Sequence, residues 1–342
     1  MYIWVDLFLN YVHFGFNKQI LIKFMKTKLP NISRQIYSED VLGLLDDHYS
    51  FLGTVWVNHQ LNWANRVYSM FKDHDKAMIV IYLINKTLTF YSKNFIMLSY
   101  DEYYNQETIA LEKFSTLEIS KNLDIPKEST RRKLIELEKK GIIKRKGLNI
   151  IIDRKTFPFL KPDASINKIS IFLSLISNIL VKKQLLSNPI TSKELQKAIE
   201  KNFTHIWKLF YDMEISMMLC YKKVFIDLDT WHVFGTCAFN QHLHFEKINV
   251  NKMERLKFIK ILSSKMNVVG INAMSISDIT GIPRATVVRK LKKLLKLKFL
   301  IMDKKKHYML SGLLVKKLIP LQNNVLNQLA KFSCKVYNLI IL

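Results

Sequence analysis

Glycine and proline are scarce in this chain, 9 and 7 of 342 residues, well below the roughly 12% of average usage. Sandwiches, barrels and glycine-cradled nucleotide folds need many turns with positive φ, so the shortage excludes them and favours long helices with few breaks. Cysteine is scarcer still. Cys220, Cys237 and Cys334 are an odd number without CxxC spacing, which excludes a disulfide or zinc framework and fits a reducing, cytoplasmic setting. Acidic residues number 28 against 53 basic ones, leaving a net charge of +25. A surface so one-sided repels itself unless it meets a polyanion, either nucleic acid or an anionic membrane. No membrane-spanning helix is expected, since a span needs about 18 apolar residues and the apolar stretch Ile169–Val181 runs for only 13. The first 24 residues are apolar and aromatic with Asp6 as their only early charge, so no basic region precedes them as in an export signal.

What is present is a repeat. Ile119 to Lys139 (ISKNLDIPKESTRRKLIELEK) aligns without gaps on Ile276 to Lys296 (ISDITGIPRATVVRKLKKLLK), with nine identities in 21 positions at an offset of 157. The same offset lays Asn167–Lys182 on Asn324–Leu339. A weaker echo at an offset of 182 pairs Gly53-Thr54 with Gly235-Thr236, Asn58 with Asn240 and Leu61 with Leu243. Together these predict a mainly α protein with an N-terminal extension over 1–36, a first helical repeat over 37–155, connecting helices over 156–217 and a second repeat over 218–342. On this reading the first copy carries about 25 extra residues near Asn94–Thr116. The connecting segment includes a degenerate third version of the motif at 191–214, where Thr191 and Glu194 form a capping box. With one lysine, Lys208, and apolar Ile206, Trp207 and Phe210, its second helix is read as packing.

Within the first motif, Ser115 and Glu118 stand at capping-box spacing, predicting a short helix to about Leu123. Asp124 and Ile125 break it, and Pro126 opens the next helix, where its missing N–H is no loss. Thr130, Leu134 and Leu137 then share one face, Lys127, Glu128, Arg131 and Arg132 point elsewhere, and Gly141 terminates the helix. Ile142-Ile143, a basic turn Lys144-Arg145-Lys146-Gly147 and Leu148–Ile152 predict a hairpin. In the second motif, either Ser275 with Asp278 or Asn272 caps the first helix. Gly281 occupies the turn, and Lys298 stands where the closing glycine is in the first copy.

This order resembles the winged helix-turn-helix of bacterial transcription regulators, particularly the MarR-like group. The resemblance rests on LEISKNLDIPKESTRRKLIELEKKGIIKR and on SDITGIPRATVVRKLKKLLK, with Lys304-Lys305-Lys306 as the second wing tip. It implies tandem winged helix-turn-helix domains with short β-hairpin wings on a helical scaffold. It also implies a sequence-specific regulator acting on double-stranded DNA, as a monomeric pseudo-dimer or a homodimer. The second motif helices would enter the major groove, where Lys127, Arg131, Arg132, Arg284 and Arg289 can reach guanine O6 and N7. Ser129 and Thr286 would face phosphate, and the wing residues Lys144, Arg145, Lys146, Lys304, Lys305 and Lys306 phosphate or the minor groove. Thr116–Lys155 and Ala273–Leu310 together supply +14 of the net charge.

Two other readings share this sequence: a protein-interaction scaffold whose winged helices lack specific DNA readout, and a tandem winged-helix replication initiator. No catalytic constellation emerges. Walker-type loops, GxSxG and dinucleotide fingerprints are absent, and His242 with His244 is the one close histidine pair. The chain is therefore read as no enzyme, with no cofactor or metal, and the sequence specifies no effector.

Overall fold

In the computed structural model, the described residues are 32–111, 114–147, 149–153, 161–248, 253–262 and 269–342. The expected extension lies outside them up to residue 31, as does Leu148 of the expected hairpin. The chain divides into a large unit, 36–337, and a small one formed by its two ends, Met1–Gln35 with Asn338–Leu342. In the small unit the described residues are 32–35, which include the 3-10 turn Ile32–Arg34, and 338–342, the end of the last helix and the residue after it.

The large unit is mainly helical with two small antiparallel sheets. Its elements in order are α1 (Ser38–Asp47), α2 (Tyr49–Phe71), α3 (His74–Lys93), α4 (Tyr100–Tyr104), β1 (Thr108–Leu111), α5 (Thr116–Leu123), α6 (Lys127–Lys139), β2 (Ile143–Lys146), β3 (Asn149–Asp153) and α7 (Asp163–Lys182). There follow α8 (Ser192–Lys201), α9 (Phe203–Phe225), α10 (Leu228–Ile248), α11 (Arg255–Leu262), α12 (Ala273–Thr280), α13 (Arg284–Lys296), β4 (Leu300–Met302), β5 (Tyr308–Leu310) and α14 (Leu314–Ile341). Strand β3 is central in the first sheet, pairing Ile152 with both Ile109 of β1 and Ile143 of β2. In the second sheet Leu300 pairs with Leu310, and the third strand is reduced to a single bridge between Ile271 and Tyr308.

The element bounds move the copy boundary. Helices α1, α2 and α3 start 154 residues before α8, α9 and α10, and the first two pairs have equal lengths. Lys72 after α2 and Ile226 after α9, an aligned pair, both have positive φ, 52° and 75°. The second copy therefore opens at Ser192, and 156–217 is not a connector: it holds the closing helix of the first copy and the first helices of the second. The expected degenerate motif at 191–214 is the counterpart of α1 and the start of α2. Its Thr191–Glu194 capping box forms, and Ile206, Trp207 and Phe210 are buried. No 25-residue excess is needed, and part of the segment credited with it forms α4 and β1.

The echo at 182 thus links helices that are not counterparts, α2 and α10, which pack against each other. Gly53 and Gly235 line one largely apolar cavity of about 130 Å3 between them. At the repeat-related place, Trp207 and Ile81 stand where these glycines are, and the cavity there is about 80 Å3. A Cβ on Gly235 would lie 2.9 Å from Leu61 Cδ2, so glycine also permits the close approach of α10 to α2.

Each copy's third helix packs on the other's second, α3 on α9 and α10 on α2. Helix α7 is long and apolar enough to cross a membrane by length and composition, which the count of uninterrupted apolar residues missed because Lys168 splits it. Its apolar face is a core face: Ile169, Phe172, Leu173 and Ile176 are buried, and the helix packs on α2 and α8. Of the cysteines, Cys237 is buried and the other two are half-buried.

At the centre, Gln60 of α2 and its counterpart Glu214 of α9 are both buried, with Tyr221 Oη donating to Gln60 Oε1 at 2.8 Å. Burial pushes the Glu214 carboxyl up to about 8, opposed only by its bond with Gln60. A carboxyl raised in the fold favours the folded state most below its unfolded value and loses that contribution as pH rises to about 8. Glu214→Gln should therefore flatten the stability profile between roughly pH 4.5 and 8 by on the order of a few kcal/mol. Chemical denaturation across that range checks this; an unchanged slope contradicts it.

Candidate nucleic-acid interface

The two helix–turn–helix segments are built alike from the residues they share. Ile119 and Ile276, Ile125 and Ile282, Leu134 and Leu291, and Leu137 and Leu294 are all buried. Ser120 Oγ donates to the Ile125 carbonyl at 2.6 Å, and Ser277 Oγ to Ile282 at 2.7 Å, closing each turn. Pro126 and Pro283 occupy the N-cap of the second helix in each copy. Asp124 takes the left-handed turn conformation that Gly281 takes in the second copy, which aspartate tolerates better than most residues.

Caps settle the open points. Asn272, not Ser275, caps α12, its side chain accepting from the Ser275 amide at 2.9 Å. Only half of the Ser115–Glu118 box forms. Ser115 accepts from the Glu118 amide, while the Glu118 carboxylate is drawn to Lys86 and Tyr82. Helix α6 ends with Gly141 N donating to Glu138 O and Ile142 N to Leu137 O; α13 ends with the same pair from Lys298 and Phe299. Lys298 holds the left-handed conformation at φ 59°, as Gly141 does at 71°, a state costing an L side chain about 1–2 kcal/mol. Lys298→Gly is expected to raise stability by about 1 kcal/mol, and Gly141→Ala to lower it comparably. Denaturant midpoints read both changes, and a loss with Lys298→Gly would show the lysine to be held by something stronger.

Three of the nine shared positions are exposed: Pro126 with Pro283, which cap the second helix, Arg132 with Arg289, and Lys139 with Lys296. Arg132 has 70% of its side chain exposed and only a 4.0 Å approach to Glu136. Its neighbour Lys133 is 10% exposed and forms an ion pair with Asp73 at the start of α3, with Asp75 at 3.9 Å. Lys290, the counterpart, meets Asp227 at the start of α10 at 2.8 Å. Burial pushes the Asp227 carboxyl up, but Lys290 and the Thr230 hydroxyl and amide outweigh it and hold it below its usual range. These lysines anchor each motif to the helix beneath it. The signal that reveals them is Asp73-His74-Asp75 over Asp227-Leu228-Asp229, visible only at the offset of 154.

The expected contact residues fall into two unlike sets. Lys127, Arg131 and Arg132 are exposed on α6, and Ser129 is half-buried. Arg131 is clasped by Glu128, Nε to Oε1 at 3.0 Å and Nη2 to Oε1 at 2.6 Å, which lowers the Glu128 pKa. Lys144, Arg145 and Lys146 lie along strand β2 and not in the turn as expected, because pairing continues to Lys146–Asn149. Lys144 pairs with Asp153 at 3.1 Å, and Arg145 Nε donates to Glu138 Oε2 at 2.8 Å, holding that carboxyl low. Lys146 is exposed.

In the second copy, Arg284 and Arg289 are exposed, Thr286 is half-buried, and Lys304, Lys305 and Lys306 occupy the turn between β4 and β5. Among the described residues these five basic side chains have no ion-pair partner. Lys222 adds a contact the sequence did not suggest: from α9 its Nζ donates to the carbonyls of Leu123 and Asp124 at 2.9 and 2.8 Å. It thereby ties the first turn to the scaffold. Comparison of the chain with known families, characterised proteins and solved structures gives no match.

Proposed function

We propose that the protein is a sequence-specific double-stranded DNA-binding regulator, a single chain with two winged helix-turn-helix motifs acting as a built-in dimer. The observation that carries the reading is the division of the shared positions. Seven of the nine identities between the motifs bury, cap, close a turn or anchor a helix, so the fold accounts for them. Arg132 and Arg289 do no such work. They stand on exposed faces of α6 and α13, beside an apolar stripe fully turned inward, which is where a groove-reading helix carries its arginines. Had these faces been buried against the scaffold, a protein-docking role would be favoured instead.

The charge supports the same reading. Helix α13 has six basic and no acidic residues, and the turn after β4 adds three lysines, a stripe suited to phosphate. The test is binding of a labelled mixed-sequence duplex to the full chain between about 50 and 200 mM salt. The expected result is affinity that falls steeply and linearly with log salt, with a slope of several ions released. A protein that leaves the duplex unbound at the low-salt end would overturn the reading.

A further inference from the structure

The two motifs are alike in framework and both net positive, but only the first pairs its cations with carboxylates of its own. Four carboxylates surround the first: Glu128 on Arg131, Glu136 on Lys76 at 2.5 Å and near Arg132, Glu138 on Arg145, and Asp153 on Lys144. At the corresponding places the second motif has Ala285, Lys293, Leu295 and Ser311. None is acidic. Ser311 corresponds to Asp153 because its amide bonds the Phe299 carbonyl as that of Asp153 bonds Ile142. Thus α6 has five basic and three acidic residues where α13 has six and none.

We infer that the two motifs divide the work on DNA unequally, the second adding most of the phosphate-driven affinity while reading its own half-site, and the first contributing chiefly discrimination at the other half-site through the Glu128–Arg131 pair. This rests on the DNA-binding reading above. Counterion release rewards each uncompensated cation placed on a phosphate. A cation already neutralised by its own carboxylate gives little, and Glu128 itself repels the backbone. The same pair is well formed for base edges. Arginine donates to guanine O6 and N7, and a carboxylate accepts from the cytosine amino group. Because an exposed ion pair is worth at most about 1 kcal/mol, Arg131 is free to turn from Glu128 to a base. A wrong base leaves the Glu128 carboxylate facing an acceptor or a phosphate, which penalises that sequence.

The experiment uses the full chain, with fluorescence anisotropy on a short mixed-sequence duplex over a salt series and enrichment from a randomised duplex pool. Arg284→Ala with Arg289→Ala should weaken mixed-sequence binding at least tenfold and reduce the salt slope by about two. Arg131→Ala with Arg132→Ala should change that slope by less than one while erasing half of the enriched motif. Glu128→Gln should raise mixed-sequence affinity several-fold and blur the same half. Equal slope losses from both arginine pairs would overturn the division of labour, as would a Glu128→Gln variant with unchanged affinity and an intact motif. If the unaltered protein fails to bind any duplex at low salt, the DNA reading itself falls and takes this inference with it. Circular dichroism melting confirms that each variant is folded, since all five side chains are exposed.

Discussion

Arg132→Ala combined with Arg289→Ala is expected to weaken binding to an enriched duplex by on the order of 100-fold or more, since each arginine–guanine contact contributes about 1–3 kcal/mol. The fold should not notice. Both side chains are exposed, and Arg132 has no close ion pair, so thermal midpoints should match the unaltered chain. Each single variant should relax one half-site and leave the other readable, because the motifs sit on separate hairpins and helices. Competition binding against the enriched duplex measures the loss. An undiminished affinity would remove both arginines from the interface.

The adjacent position should behave in the opposite way. Lys133→Ala is expected to destabilise the fold by roughly 3 kcal/mol, the order found when one partner of a buried pair is removed. Lys133 is 10% exposed and satisfies Asp73, 25% exposed, under the helix; without it that carboxylate keeps only its N-cap bond from the Lys76 amide and loses its ion pair. Asp75 keeps Lys222 at 3.2 Å, so the loss is centred on Asp73. Lys290→Ala should cost less, because Lys293 remains 3.3 Å from Asp227. Urea titration separates the two, and an order reversed from this would mean that the anchors are not equivalent in burial. Two neighbouring residues of one repeated Arg-Lys pair thus report on different things, the first on binding and the second on stability.

The motifs were legible because short helices joined by tight turns are written in single residues. Pro126, Pro283, Gly141 and the stripe of Thr130, Leu134 and Leu137 mark bounds that the structure reproduces. The start of the second copy was not legible. Across α1 to α3 and α8 to α10, Ser38, Phe71, Asp73, Asp75 and Lys93 are the residues that recur at an offset of 154, because buried helices keep volume and pattern while individual apolar residues exchange. The Gly-Thr echo was a competing signal of local origin. Thr54 and Thr236 each return a hydroxyl bond to the carbonyl four residues back, at 2.6 and 2.9 Å, and both glycines open the same cavity.

On the candidate interface, the sequence identified which residues are basic and on which helix they lie. It could not show which were already neutralised. Glu138 meets Arg145 from seven residues away, and Asp153 meets Lys144 across the hairpin; both pairings depend on strand register. That Lys144–Lys146 run along β2 follows from the same register, which a basic cluster beside a glycine conceals.

The most direct measurement is enrichment of duplexes from a randomised pool by the full chain at about 150 mM salt, with the Arg132→Ala/Arg289→Ala variant in parallel. Two motifs with different charges predict one asymmetric sequence with two dissimilar half-sites, lost in the variant. A pool that stays random while the protein still binds weakly at low salt would mean counterion release without readout, and would contradict the claim that these helices read DNA.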